Sequence, residues 1–240
     1  MIGGNVIQTG NFSPLTVPRK RYETMKLGLM GGTFNPIHLA HLRIAEEARE
    51  LCCLDRVVFI PAADPPHKRL AGDVPFLLRC EMVRRAIAGN PAFELSDIEG
   101  QRGGKSYSID TIAAFRRQFP EEQLFFIIGS DSFLEIGMWH RYAEIFRLCS
   151  LIVIERPGCP VGDPLAALPV AIQPELSYTP DAWRLEHAAG TTVQIIKGCP
   201  LDISSSEIRR LAAERHSITY LVPPQVEAYI KEQRIYTECP

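Results

Sequence analysis

The spacing of apolar residues changes repeatedly along the chain, and the changes mark the elements. Lys26–Met30 is a compact apolar run of strand length, whereas Leu39–Cys53 brings Leu42, Ala45, Ala48 and Cys52 to one side at helical spacing. Arg56–Pro61 is a Val- and Ile-rich strand and Pro75–Gly89 a helix. Phe93–Ile98 alternates as a strand, Ser108–Phe119 returns to a helical period, and Leu124–Ile128 and Ser150–Ile154 are continuous apolar strands. Two helical patterns, Ser204–Glu214 and Pro224–Glu232, follow toward the C-terminus. Strands apolar on both faces, alternating with helices, predict an α/β class fold: a Rossmann-like parallel sheet with helices on both faces, in a single domain. Residues 156–190, rich in Pro and Ala, yield no element by this reading.

Residues 1–24 carry Gly, Asn, Ser, Thr and Pro with a basic cluster, Arg19-Lys20-Arg21, and no sustained period. They predict a flexible N-terminal leader, with the folded domain spanning 25–240; Met25 is an alternative natural start. No internal repeat or low-complexity segment interrupts that domain.

Composition then limits the partners. Hydrophobic residues make up 46 % of the 240 positions, enough to bury a sizeable core. A net charge of −2 provides no one-signed basic surface, which argues against nucleic acid as the partner and leaves a small charged ligand open. The seven cysteines are odd in number and include no Cys-x-x-Cys pair, as expected of reduced thiols in the cytoplasm. No apolar run reaches membrane-spanning length, so no membrane partner is expected. A homo-oligomer stays open.

The chemistry begins where the first strand ends. Gly31-Gly32-Thr33-Phe34-Asn35-Pro36-Ile37-His38-Leu39-Ala40-His41 leads from strand to helix. Glycines there let the backbone approach an anion, and the helix start offers free N–H groups and the positive end of its dipole. His38 and His41, three apart, share one side of the first turn. A zinc site fits poorly, because a helix N-terminus disfavours a cation. Far downstream, Ile203-Ser204-Ser205-Ser206-Glu207-Ile208-Arg209 contains a capping box, Ser204-x-x-Glu207. The cap does not explain Arg209, a cation in the first turns of a helix, which points to an anion held nearby.

These two segments resemble the H-x-G-H type motif and the I-S-S-T-x-I-R motif of a nucleotidyltransferase superfamily, with Ala40 in place of Gly and Ser206 in place of Thr. The remaining motifs are similar to those of the bacterial nicotinate-nucleotide adenylyltransferases: Ile60 to Lys68 with Pro65-Pro66-His67-Lys68, Ser106 to Thr111, Phe126 to Asp131, Trp139 with His140 at the usual Tyr position, and Arg156-Pro157-Gly158. Ser108 stands for that family's Thr. The resemblance runs from Met25 to the C-terminus and is weakest over 159–190.

It implies an enzyme that moves AMP from ATP to nicotinate mononucleotide, releasing pyrophosphate, with Mg²⁺ accompanying ATP and no metal held by protein ligands. His38, His41 and Arg209 would be catalytic. Gly31, Gly32, Thr33, Phe34, Asp131, Ile203, Ser204, Ser205 and Ser206 would bind ATP. His67, Lys68, Tyr107, Ser108, Trp139, His140 and Arg156 would bind nicotinate mononucleotide, Trp139 stacking on the ring and N–H groups around Tyr107–Ser108 and Trp139–His140 receiving its carboxylate. The alternatives are the same transfer to nicotinamide mononucleotide or phosphopantetheine, or a nucleotide sensor without turnover.

Overall fold

The computed structural model describes residues 24–65, 74–198 and 201–236. Eight strands form one sheet: β1 (Lys26–Gly32), β2 (Arg56–Pro61), β3 (Phe93–Leu95), β4 (Gln123–Gly129), β5 (Ser150–Glu155), β6 (Leu176–Thr179), β7 (Arg184–His187) and β8 (Thr192–Lys197), in the order β3-β2-β1-β4-β5-β8-β7-β6. The helices are α1 (Leu39–Leu51), α2 (Phe76–Ile87), α3 (Ile98–Arg102), α4 (Ser108–Gln118), α5 (Ser130–Leu134), α6 (Tyr142–Leu148), α7 (Ser205–Ala213) and α8 (Pro224–Glu232).

Each central strand feeds two cores because its side chains alternate between faces. Leu27 and Leu29 of β1, Val58 and Ile60 of β2, and Leu151 and Val153 of β5 pack with Ile109, Ile112 and Phe115 of α4 and Ile145 and Phe146 of α6. Met30, Val57, Phe59, Ile152 and Ile154 pack on the opposite face with Ala45 and Ala48 of α1, Met82 and Val83 of α2, Ile208 of α7 and Val226 and Ile230 of α8. Burial on both faces is why these strands read as unbroken apolar runs rather than alternating ones.

The structure corrects the expected sheet in one respect. Pairing is parallel from β3 through β8, but β7 and β6 run antiparallel at the edge, so the sheet is mixed. Both of these edge strands lie within the stretch that gave no period, and each is only four residues long. β3 is also shorter than expected, because Ile98 opens α3 rather than ending the strand. The order turns outward in both directions from β1 and β4. Their C-terminal ends therefore form the switch point where ligands of open α/β sheets bind. Among the described residues no helix is long and apolar enough to cross a membrane, and the five described cysteines are free thiols.

Candidate active site

A cleft of about 620 Å³ opens at that switch point, and it joins the two motifs that lie far apart in the chain. Thr33, Asn35, His38, Ala40 and His41 form one wall; Ile203, Ser204, Ser205, Ser206 and Arg209 form the other; Asp131 and Arg156 close the strand side.

The first wall is built differently from the glycine turn expected. Gly31 and Gly32 belong to β1, and the left-handed residue of the turn is Phe34, with φ 46°. A bulky residue there is strained, and the conformation persists because the Phe34 ring is fully buried, edge-on to His41 and against Phe59. Gly32 serves this packing: a Cβ on it would come within 3.0 Å of the Phe34 ring. The Phe34 ring is thus the floor beneath the histidines, and what Phe34 presents toward the cleft is its backbone.

His38 caps α1 and His41 lies in its first turn, their rings stacked with centroids 3.7 Å apart. The His38 N–H donates to His41 Nδ1 at 3.3 Å. An accepting Nδ1 places the proton of neutral His41 on Nε2, which makes that atom a donor. His38 Nδ1 is buried and meets no partner among the described residues. Burial first, and then the charge of Arg156, lowers the His38 pKa to about 4. His41 is lowered well below the ordinary histidine value by burial, by His38 and by Arg156. Both imidazoles are thus neutral near pH 7. Ala40 lies buried in the cleft wall, its methyl leaving both histidines in place.

The opposite wall assigns each serine a distinct bond. Ser204 Oγ accepts from the Glu207 N–H at 3.1 Å, so Ser204 caps the helix, whereas the Glu207 carboxylate turns to Arg210 and only half of the expected capping box forms. Ser205 Oγ donates to Pro36 O at 2.9 Å, stitching α7 to the histidine turn. Arg209 donates to Asn35 O at 2.8 Å and to Ser206 Oγ at 3.3 Å. Its guanidinium lines the cleft while anchored to the turn, rather than standing free over a ligand. Ile203 packs against the core beneath. Ser205 and Ser206, which open α7, line the cleft, and their N–H groups lack intrahelical acceptors, as at any helix start.

Arg156, expected to bind the acceptor, lines the same cleft as the histidines and bonds Asp131 Oδ2 at 3.0 Å. Asp131, expected to bind ATP, is therefore half engaged. Gly129 makes the pair possible, because a Cβ there would lie 2.4 Å from Asp131 Oδ1 and 2.6 Å from Arg156 Nε.

The acceptor residues gather apart from this cleft. Tyr107 and His140 are in ring contact at 4.4 Å, and Trp139 packs edge-on to Phe126 at 6.2 Å. Ser106 Oγ accepts from the N–H groups of Ala63 and Asp64, tying the loop after β2 to the start of α4. Of the four N–H groups expected to receive a carboxylate, two are spent: Tyr107 N–H donates to Lys105 O and Trp139 N–H to Ile136 O. Among the described residues, no acceptor takes the N–H of Ser108 or of His140. His67 and Lys68 lie outside the described residues.

Sequence reasoning missed Asn35, although it stands inside the motif, and Arg79, which is fully buried. Arg79 donates to Thr33 O at 2.8 Å from beneath the turn. Its signal was present: it lies on the same stripe of α2 as buried Met82 and Val83, at i+3 and i+4.

Residues 29–211 match the cytidylyltransferase-like family model. Proteins described as probable nicotinate-nucleotide adenylyltransferases are similar over most of the chain. That of Pelobacter propionicus is 75 % identical over 90 % of this chain and 100 % of its own. That of Geobacter metallireducens is 58 % identical over 89 % and 99 %. In fold, the chain is similar to the Plasmodium falciparum nicotinic acid mononucleotide adenylyltransferase complexed with NaAD. The TM-score is 0.69 and the identity 19 %, over 88 % of this chain and 97 % of the other.

Proposed function

The chain belongs to the cytidylyltransferase-like family and, within it, to the nicotinate-nucleotide adenylyltransferases, and on that premise we propose that it transfers AMP from ATP to nicotinate mononucleotide, giving nicotinic acid adenine dinucleotide and pyrophosphate. The observation that carries the chemistry is the stacked, neutral His38–His41 pair facing the start of α7 across one cleft.

The acceptor's phosphate is an anion near neutral pH and attacks the α-phosphorus without a general base. A P–O bond forms there as the bond to the β-phosphate oxygen breaks. Catalysis consists of aligning the two phosphates and stabilising charge on the α-phosphate and the departing pyrophosphate. His41 Nε2–H supplies a donor from one wall, and Arg209 with the first-turn N–H groups of α7 supplies donors from the other. Arg156 adds positive charge at the strand end. Because the histidines rest neutral, the incoming phosphates meet fixed N–H donors rather than a second positive charge to displace.

ATP brings a divalent ion, taken here as Mg²⁺. Asp131, Glu155 and Asp202 line the cleft, yet no three His, Cys, Asp or Glu side chains among the described residues group closely enough to hold a metal. A resident protein cage does not fit this donor set, and the ion belongs to the substrate, carried on ATP phosphate oxygens.

For the acceptor, the N–H groups of Ser108 and His140 suit a carboxylate. The amide of nicotinamide mononucleotide would set its own N–H against one of them, which is the basis for preferring the acid. The working compartment we assign is the cytoplasm. The deciding experiment is pyrophosphate release with ATP and either mononucleotide. The expected result is turnover with the acid at least ~10-fold above the amide; equal rates would remove the acceptor assignment, and no release with either would remove the activity.

A further inference from the structure

The turn that carries the histidines is held from behind, and mostly by the C-terminal part of the chain. Ser205 Oγ donates to Pro36 O, Arg209 to Asn35 O, and Leu39 N–H to Leu221 O at 3.0 Å. The last of these ties comes from Tyr236, beyond α8, whose hydroxyl donates to Asn35 Oδ1 at 2.6 Å. Asn35 is only 2 % exposed, so this bond forms where water competes poorly. It is also reached from 201 positions away in sequence.

Three features show that Tyr236 is built to hold this contact. Its backbone is left-handed, φ 66°, a conformation costly for an aromatic residue and retained where surrounding structure demands it. Its phenol lies near both Arg209 and Arg79, the two cations bonded to the turn. Burial pushes the phenol well above its ordinary pKa, so it remains a neutral donor. Asn35 precedes His38 by three residues and follows the strained Phe34 directly. A rotation at Asn35 passes through Phe34 and Pro36 into the ring stack.

We propose that Tyr236 is a positioning residue for nucleotidyl transfer: its hydroxyl orients Asn35 and thereby holds the Phe34–His38 turn with His41 Nε2–H aimed into the cleft. This rests on the reading of the cleft as the ATP site, and Tyr236 itself touches no substrate.

The test is Tyr236→Phe in the full chain, which removes one oxygen. Turnover is expected to fall roughly 10-fold, with KM for both substrates changed less than about threefold and the Tm nearly constant. Histidine-labelled protein read by ¹H–¹⁵N NMR without substrates should show His41 as a single Nε2–H tautomer in the wild type and as a mixture in the variant. Asn35→Ala removes the acceptor instead; combined with Tyr236→Phe, the two losses should not multiply. Retention of the single His41 tautomer in Tyr236→Phe, a lowered Tm with unchanged turnover, or multiplying losses would each overturn the proposal. If the wild type releases no pyrophosphate while the variant still scrambles the His41 tautomer, the activity reading fails and the latch stands.

Discussion

On the nucleotide side of the site, the groups facing the cleft are buried or bonded to one another across elements. Phe34 lies fully buried beneath the stacked histidines, Arg209 and Ser205 are bonded to backbone oxygens of the opposite wall, and Arg156 is paired with Asp131. On the acceptor side, His140 is exposed and Tyr107 half-buried, joined by a tilted ring contact, and the donors are backbone N–H groups at α4 and after the Ile136–Met138 turn. The first region pre-organises charge-stabilising donors in low dielectric, where each is worth most. On the function proposed above, the second would select by shape and by the direction of two N–H groups. The difference teaches that chemistry and acceptor choice are separable here, so substitutions in the two regions should affect different kinetic parameters.

Loss of the His41 donor should have the largest effect. His41→Ala is expected to lower kcat by ~10²–10³ with little change in Tm; near-wild-type turnover would remove His41 from the chemistry and collapse the contrast. Arg156→Gln sharpens it next. Placed among the phosphate-side groups, Arg156 should cost roughly 10-fold or more in kcat/KM for ATP. A loss confined to the KM for nicotinate mononucleotide would return it to the acceptor.

Stability against pH probes the buried pair directly. With an ordinary value of 6.5 in the unfolded chain and about 4 in the fold, His38 binds a proton more readily when unfolded throughout that window. Its contribution is therefore complete above about pH 6.5 and is lost as pH falls toward 4, on the order of 3 kcal/mol; the depressed His41 acts in the same direction. Urea unfolding between pH 4 and 7 should show this slope in the wild type and a shallower one in His38→Asn. An unchanged slope in that variant would refute the buried neutral state.

The exposed acceptor side should respond more weakly. His140→Ala, which deletes one ring contact, is expected to raise the KM for nicotinate mononucleotide by no more than ~10-fold while kcat and the ATP parameters hold. A large fall in kcat would show that the two regions are not independent. Smallest of all, a chain beginning at Met25 should match the full chain in Tm and turnover, since β1 opens at Lys26; loss of folding or activity would make residues 1–24 part of the working protein.

Much of this was legible beforehand. The unbroken apolar strands and the histidine and serine motifs follow from local residue order, because side-chain period and helix-start chemistry are local properties. The edge hairpin β6–β7 was not, since short strands at a sheet edge carry little pattern and their pairing depends on β8. Arg79 was legible only as a charge out of place on the apolar stripe of α2; its burial under Thr33 is a tertiary fact.

By itself, then, the chain's residue order determined the α/β class, the strand-to-helix turn with two histidines, and the capped serine helix that would answer it. Tertiary structure decided which atoms are free to act. It bonded Nδ1 of His41 and so left Nε2 to carry the proton, spent the N–H groups of Tyr107 and Trp139, set Arg156 on the same cleft as the histidines, and brought Tyr236 to Asn35. The physical reason is that a hydrogen-bonding group's availability depends on what else competes for it in the folded protein, and those competitors come from distant positions in the chain.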